Sequence, residues 1–256
     1  NPATKNVMRG MPTLMLSNDR QGAATNFGAL REGKTQEWID EVLKPVIDAM
    51  PKNKRTAFGQ DFGRSGDLSD IWVLQEEGDH WRTAFLLELR NIPFDVQKQI
   101  MLFVLQNLPL LQNAKFDSRG NGQSHAEAAL QALGPSFVEC VMLSAGWYAE
   151  WFPKYRSAYE GRSIRVPKSE DIVQDHRLIV LRDGKPVVSA AKVKGSDGKD
   201  RHGDSAVAGL LAWAAATGES LQPSAGATIQ RHSPVENRPS RGLIKRPVER
   251  GRRRWA

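Results

Sequence analysis

The chain has 256 residues, 40% of them hydrophobic and 25% charged, enough for one sizeable core with small appendages at either end. Its formal charge of +7 points to an acidic partner, with nucleic acid ahead of an anionic membrane or an acidic protein. A single cysteine, Cys140, excludes an intrachain disulfide, and the longest nearly apolar stretch, AVAGLLAWAAA at 206–216, is too short to span a bilayer. A soluble protein of a reducing, cytoplasmic compartment is the expectation. The chain begins at Asn1 and reads as a piece cut from something longer.

Residues 1–34 are rich in Gly, Asn, Arg and Thr, lack sustained periodicity and read as a linker or an irregular lead-in. Trp38, Ile39, Val42, Leu43, Val46, Ile47 and Met50 then recur every three or four residues, which predicts an amphipathic helix kinked at Pro45 and ended by Pro51. Segments 56–63, 69–77 and 81–91 are three short apolar runs separated by Gly-Asp turns and predict an antiparallel meander. A helix over 93–111 follows, opened by Pro93, and then a short strand, AKFD, at 114–117. Ser124 and Glu127 read as the capping box of the next helix, which Gly134-Pro135 stops. Further on come a strand at 137–143, a Trp- and Tyr-rich helix at 147–160, the strand SIRVP, a hairpin turning at Asp183-Gly184 and a helix from Asp204.

Strands and helices in this order make a mixed α/β sheet. The chain divides into a linker and lead-in helix (1–54), a main domain (55–217) and a tail (218–256). From Gly218 to Ala256 nine Lys or Arg stand against three Glu, a net +6 that leaves only +1 for the rest. With four prolines and few large apolar residues, this basic tail is expected to be disordered.

Two motifs are decoys. GALREGKT (28–35) fits the phosphate-loop pattern G-x-x-x-x-G-K-[ST], but its lead-in, SNDRQGAATNF, is no strand to anchor such a loop, and Thr35 reads instead as a helix cap. Asp61-Phe62-Gly63 matches a kinase triplet without the other kinase elements. What survives is a set of carboxylates at element ends. Asp61 interrupts TAFGQDFG, Asp117 ends AKFD, and Asp204 opens the last helix. Singly, each is more readily structural than catalytic, Asp204 as a helix cap and Asp61 and Asp117 as strand carboxylates whose buried charge a cation would offset; together, on one mixed sheet, they could hold two hard cations, because magnesium prefers carboxylate oxygens.

FGQDFGRSGDLSDIWVL, AKFDSRGNGQSHAEAAL and KDRHGDSAVAGLLAW resemble the three acidic motifs of the nuclease domain of the large terminase subunit of tailed bacteriophages, in its Mu-like branch. The resemblance covers roughly residues 55–217. It implies a ribonuclease H-like fold, a mixed central sheet flanked by helices, and an endonuclease that cuts viral DNA during head filling. It also implies that Asp61, Asp117 and Asp204 bind metal, Mg2+ or Mn2+, as two ions. The implied partners are double-stranded DNA, the phage portal and the small terminase subunit, met in the host cytoplasm and transiently at the procapsid, with no membrane.

Around these motifs, His202 is a candidate for holding a softer cation such as manganese or for positioning water, or else a solvent-facing loop residue. Asp67 and Asp70 read as turn and surface residues in reserve. Arg64, Arg119, Lys199 and Arg201 flank the motifs and are candidate phosphate contacts, the alternative being solvated loop charges. A complete large terminase also carries an ATPase domain, for which this chain has no room, so no ATP hydrolysis is expected. Rival readings are another ribonuclease H-like enzyme, such as a junction resolvase or transposase, and a non-catalytic adaptor to DNA or portal.

Overall fold

Side chains alternate between the two faces of a strand, and in the centre of this chain both faces are apolar. In the strand Leu68–Glu77, Ile71 and Val73 join one hydrophobic core while Trp72 and Leu74 join another on the opposite face. Phe58 and Ala57, or Phe85 and Leu86, divide in the same way. Such strands are stable only with helices on both sides. The computed structural model describes residues 11, 13–17, 34–63, 68–120 and 122–218, and in it the sheet is so covered.

The sheet comprises β1 (Thr13–Ser17), β2 (Thr56–Asp61), β3 (Leu68–Glu77), β4 (His80–Arg90), β5 (Leu111–Asp117) and β6 (Val138–Val141), in the spatial order β1-β4-β3-β2-β5-β6. The short β7 (Ile164–Arg165) pairs with β4. β2, β3 and β4 form the expected antiparallel meander, and β5 and β6 extend it in parallel from β2. This mixed sheet flanked by helices is the ribonuclease H-like class the motifs imply.

On one face lie the lead-in helix and α3 (Phe94–Asn107), with α4 (Gly122–Leu133) beside them. The lead-in helix runs as α1 (Lys34–Trp38), a π-helical segment (Ile39–Leu43) and α2 (Lys44–Asp48), and it buries Trp38, Ile39, Leu43 and Ile47. A widened π segment precedes Pro45, whose nitrogen has no hydrogen to donate, where a simple kink is expected. The other face carries α5 (Ala145–Glu160), α6 (Glu170–Arg177) and α7 (Asp204–Thr217). β8 (Ile179–Arg182) and β9 (Lys185–Val188) form the hairpin that turns at Asp183-Gly184, and β10 (Val193–Lys194) pairs with β11 (Asp200–Arg201).

Several sequence expectations are corrected. TLMLS at 13–17 is no linker: it forms a strand in parallel register with Leu86–Arg90 of β4, and Leu16 is fully buried. α3 stops at Asn107 because Pro109 and a left-handed Leu110 (φ 39°) lead directly into β5, which is longer than AKFD. Gly122 already opens α4, so Ser124 lies inside its first turn and does not cap it. Thr35 likewise lies within α1, buried. The tail beyond Gly218 and the body of GALREGKT, residues 28–33, fall outside the described residues.

Candidate active site

Each acidic motif delivers its aspartate at the end of an element. β2 is buried throughout TAFGQ, and Asp61, its last residue, emerges half-buried. β5 runs parallel beside it with Gln60 opposite Phe116, so Asp117 rises next to Asp61. Gly203 then takes a φ of 89°, in the left-handed region that suits glycine, and turns the chain into α7, whose first residue is Asp204. α7 can lie on β2 because both are bare where they meet. A Cβ placed on Gly59 would be 2.2 Å from Ala212 N and 2.3 Å from Ala208 O.

Burial raises the Asp61 pKa well above the usual carboxylate range, and the charges of Asp204 and Asp117 add to that rise, with Arg119 opposing. The structure thus brings Asp61, Asp117 and Asp204 into one electrostatic neighbourhood. Arg119 is tied to this group directly. Its backbone N–H and its Nε donate to Asp117 Oδ1 at 3.0 and 3.1 Å, and its Nη2 to Oδ2 at 3.3 Å.

A row of acids continues across the sheet under α7. Asp61 is paired with Asp70 on β3, and Asp70 with Glu88 on β4. Asp70 is therefore no surface residue: it is 0% exposed, and neither carboxyl oxygen has a hydrogen-bond partner. Its burial and the adjacent Glu88 push its pKa well up. Polar residues at the start of the predicted strand at 69–77 made it read as a surface residue in reserve. Asp67 and Arg64 lie outside the described residues.

Arg201 is the second correction. Rather than offering its guanidinium to a phosphate, it is fully buried, with Nε donating to Asp175 Oδ1 at 3.1 Å and Nη2 to Asp175 Oδ2 at 2.7 Å and Glu88 Oε1 at 2.6 Å. Lys199 sits half-buried in the turn between β10 and β11, its N–H donating to Asp197 Oδ1 at 3.0 Å. His202 is half-buried, and its backbone N–H donates to Asp204 Oδ2 at 3.4 Å. A ring cluster borders Asp61: Phe62 packs against Phe94 and His125, with centroids 4.7 and 4.6 Å away. His125 is 1% exposed, and burial, helped by Lys98, lowers its pKa to about 4, so it packs as a neutral third ring.

Among the described residues no three His, Cys, Asp or Glu side chains stand close enough to hold a metal ion as they are. The chemistry of the donors nevertheless suits a hard cation. All three motif residues offer carboxylate oxygen, the charges of Asp204 and Asp117 bear on Asp61, and the oxygens of Asp70 have no hydrogen-bond partner. No helix among the described residues is long and apolar enough to cross a membrane.

Fold and site together define a ribonuclease H-like protein with an acidic centre at the strand ends. The chain is a homologue of the Mu-like gp28 proteins. It is 47% identical over 179 residues to the Mu-like prophage FluMu protein gp28 of Haemophilus influenzae, a match covering 70% of this chain and 35% of that protein. It is 37% identical over 185 residues to gp28 of Escherichia phage Mu, described as a probable terminase large subunit, covering 72% and 34%. The chain thus spans about a third of the length of the curated relatives it matches. Among solved structures it is similar to the large terminase nuclease from thermophilic phage G20c with bound magnesium, at 18% identity and a TM-score of 0.48 over 64% of this chain and 82% of that one. No family model matches the chain.

Proposed function

We propose that the chain is the metal-dependent nuclease part of a phage large terminase subunit, cutting viral DNA endonucleolytically during head filling. The observation that supports this reading is that the motif aspartates at the ends of β2 and β5 and the start of α7 lie near enough for Asp204 and Asp117 to raise the Asp61 pKa, although among the described residues no three acids are close enough to hold a metal ion as they are. Asp61, Asp117 and Asp204 would hold two divalent cations, Mg2+ or Mn2+, with His202 at their edge. Bound there, such cations supply an activated water and charge neutralisation at a scissile phosphate. The remaining work falls to the chain. The strand ends fix Asp61 and Asp117 side by side, α7 brings Asp204 near them, and Lys199 and Arg119 would contact the DNA backbone.

The phage Mu relative is described as a probable terminase large subunit, and in this reading the chain would act in DNA packaging, with double-stranded DNA, the portal and the small terminase subunit as partners in the host cytoplasm and at the procapsid. Nothing in this reading calls for ATP hydrolysis by the chain itself.

Incubation with supercoiled plasmid and Mn2+, with and without chelator, tests the proposal. Nicking that requires the cation and disappears in Asp61→Ala, Asp117→Ala and Asp204→Ala supports it. A mobility shift without nicking would identify a non-catalytic adaptor, and strand joining or a preference for branched DNA would identify a transposase or a resolvase.

A further inference from the structure

The metal reading makes no use of a second set of charges buried under α7. Asp175, on α6, is 0% exposed and accepts from Arg201 Nε and Nη2 and from both the N–H and the Oγ of Ser205, the last two at 3.3 and 2.5 Å. Arg201, through Glu88, ties the same group to β4. Four elements, β4, α6, β11 and α7, therefore meet at one ion-paired knot. Ser205, the residue after Asp204, joins the knot to α7 through its N–H and its Oγ.

The place of that knot matters because of what α7 is made of. Every residue from Asp204 to Ala216 is buried, and most are Ala or Gly. Its large side chains, Val207, Leu210, Leu211 and Trp213, all lie beyond its first three residues, so they leave the start of the helix without an anchor of its own; along the axis one residue corresponds to about 1.5 Å. Its cap residue, Gly203, has no side chain to accept from the first-turn N–H groups, so Asp175 does so from another element. Apolar side chains could fill such a space with equal or better stability, and the feature ion pairs add is a fixed register.

We propose that Asp175, Arg201 and Ser205 are positioning residues that set the first turn of α7 and so place the Asp204 carboxylate for metal binding. They act through α7 and not on substrate. The consequence for metal rests on the function proposed above; the geometry does not.

The test uses the full chain with Ser205→Ala, Asp175→Asn and Arg201→Lys, read by amide hydrogen exchange in chelator and by calorimetric titration with Mn2+. Ser205→Ala keeps every charge in place and so carries the test if either charge variant fails to fold. Exchange at Ser205, Ala206 and Val207 should rise about tenfold relative to the amides of β3. Mn2+ affinity should weaken about tenfold, at the low end of what partners behind a metal ligand contribute, and cleavage should recover as Mn2+ is raised. Arg201→Lys, which keeps the charge and loses the fork, should lie between wild type and Asp175→Asn. Unchanged exchange in a folded Ser205→Ala protein would overturn the proposal. Faster exchange with wild-type Mn2+ affinity would overturn it too, since the knot would then serve stability alone. If the wild type takes up no Mn2+, the functional reading fails instead, and exchange alone decides whether Asp175 fixes the helix start.

Discussion

Asp70 and Asp175 lie on the same side of the sheet, and both are completely buried, yet their surroundings treat them in opposite ways. Asp175 accepts four hydrogen bonds, two of them from a guanidinium. Asp70 accepts none and has Glu88 for a neighbour. Burial therefore does not distinguish a structural carboxylate from one held in reserve for chemistry; the donors around it do. Asp175 stands where α6 meets the knot, and Asp70 stands in the acidic row that leads to Asp61.

Removing the satisfied member should break the most. Asp175→Ala would leave the buried Arg201 with only Glu88 and would strip the acceptor from Ser205, a loss of about 3–5 kcal/mol on the scale of broken buried ion pairs. Urea denaturation in chelator measures it, and a loss below about 1 kcal/mol would show that water enters the knot and solvates the arginine.

Asp61 tests the acidic side of the comparison. It is half-buried with two acids as its main charged neighbours, so a cation should stabilise the wild type by binding only the folded state. At a hundredfold excess over its dissociation constant that gain is about 2.7 kcal/mol. Asp61→Asn should lose most of it, while melting slightly higher than the wild type in chelator, where repulsion alone is relieved. Equal Mn2+-dependent shifts in both proteins would remove Asp61 from the site.

Asp70→Asn should have a smaller effect of opposite sign. The folded state raises the Asp70 pKa, so its carboxyl favours folding most below the ordinary carboxylate range, and that advantage is lost as pH rises toward the folded value. The Asn variant carries no such slope. It should match the wild type near ~pH 4 and exceed it increasingly above, by at most about 1.4 kcal/mol for each pH unit. Parallel stability curves from acid to neutral pH would mean that Asp70 finds a partner the structure does not give it.

How much of this could be read from the sequence follows from the range of each interaction. The meander was legible because alternation and Gly-Asp turns are local, and the position of Asp61, Asp117 and Asp204 at the ends of elements because each interrupts or opens an apolar run. Arg201 was not. KDRHGD looks like a basic loop, and the acids that draw its arginine inward lie 26 and 113 residues away. Asp70 lay within the predicted strand at 69–77 but read as a surface residue in reserve, because SDIWVL begins with polar residues and its burial depends on β4 extending alongside it. TLMLS was lost in Gly- and Asn-rich surroundings, since a five-residue edge strand acquires its identity from β4. α6, EDIVQDHR, is mostly polar, and its buried Asp175 makes sense only with Arg201 in place.

Arg119 offers the finest comparison, because it is to Asp117 what Arg201 is to Asp175, but with its side chain 48% exposed. Solvent and salt screen such a pair, so Arg119→Ala should cost no more than about 1 kcal/mol in chelator, and less as salt is added. Its effect on metal should run the other way. The guanidinium and backbone N–H of Arg119 occupy both oxygens of Asp117, and a cation bound there has to compete with them. Loss of the side chain should then tighten Mn2+ binding, by up to about fivefold if the whole kcal/mol is recovered. DNA affinity should fall at the same time, with a salt slope shallower by about one phosphate contact, if the displaced guanidinium turns to the DNA backbone. Titrations with Mn2+ and with a short duplex at several salt concentrations separate these effects. Unchanged Mn2+ affinity in the variant would show that arginine and cation do not share Asp117, and the pair would then be a fixed brace like the one at Asp175.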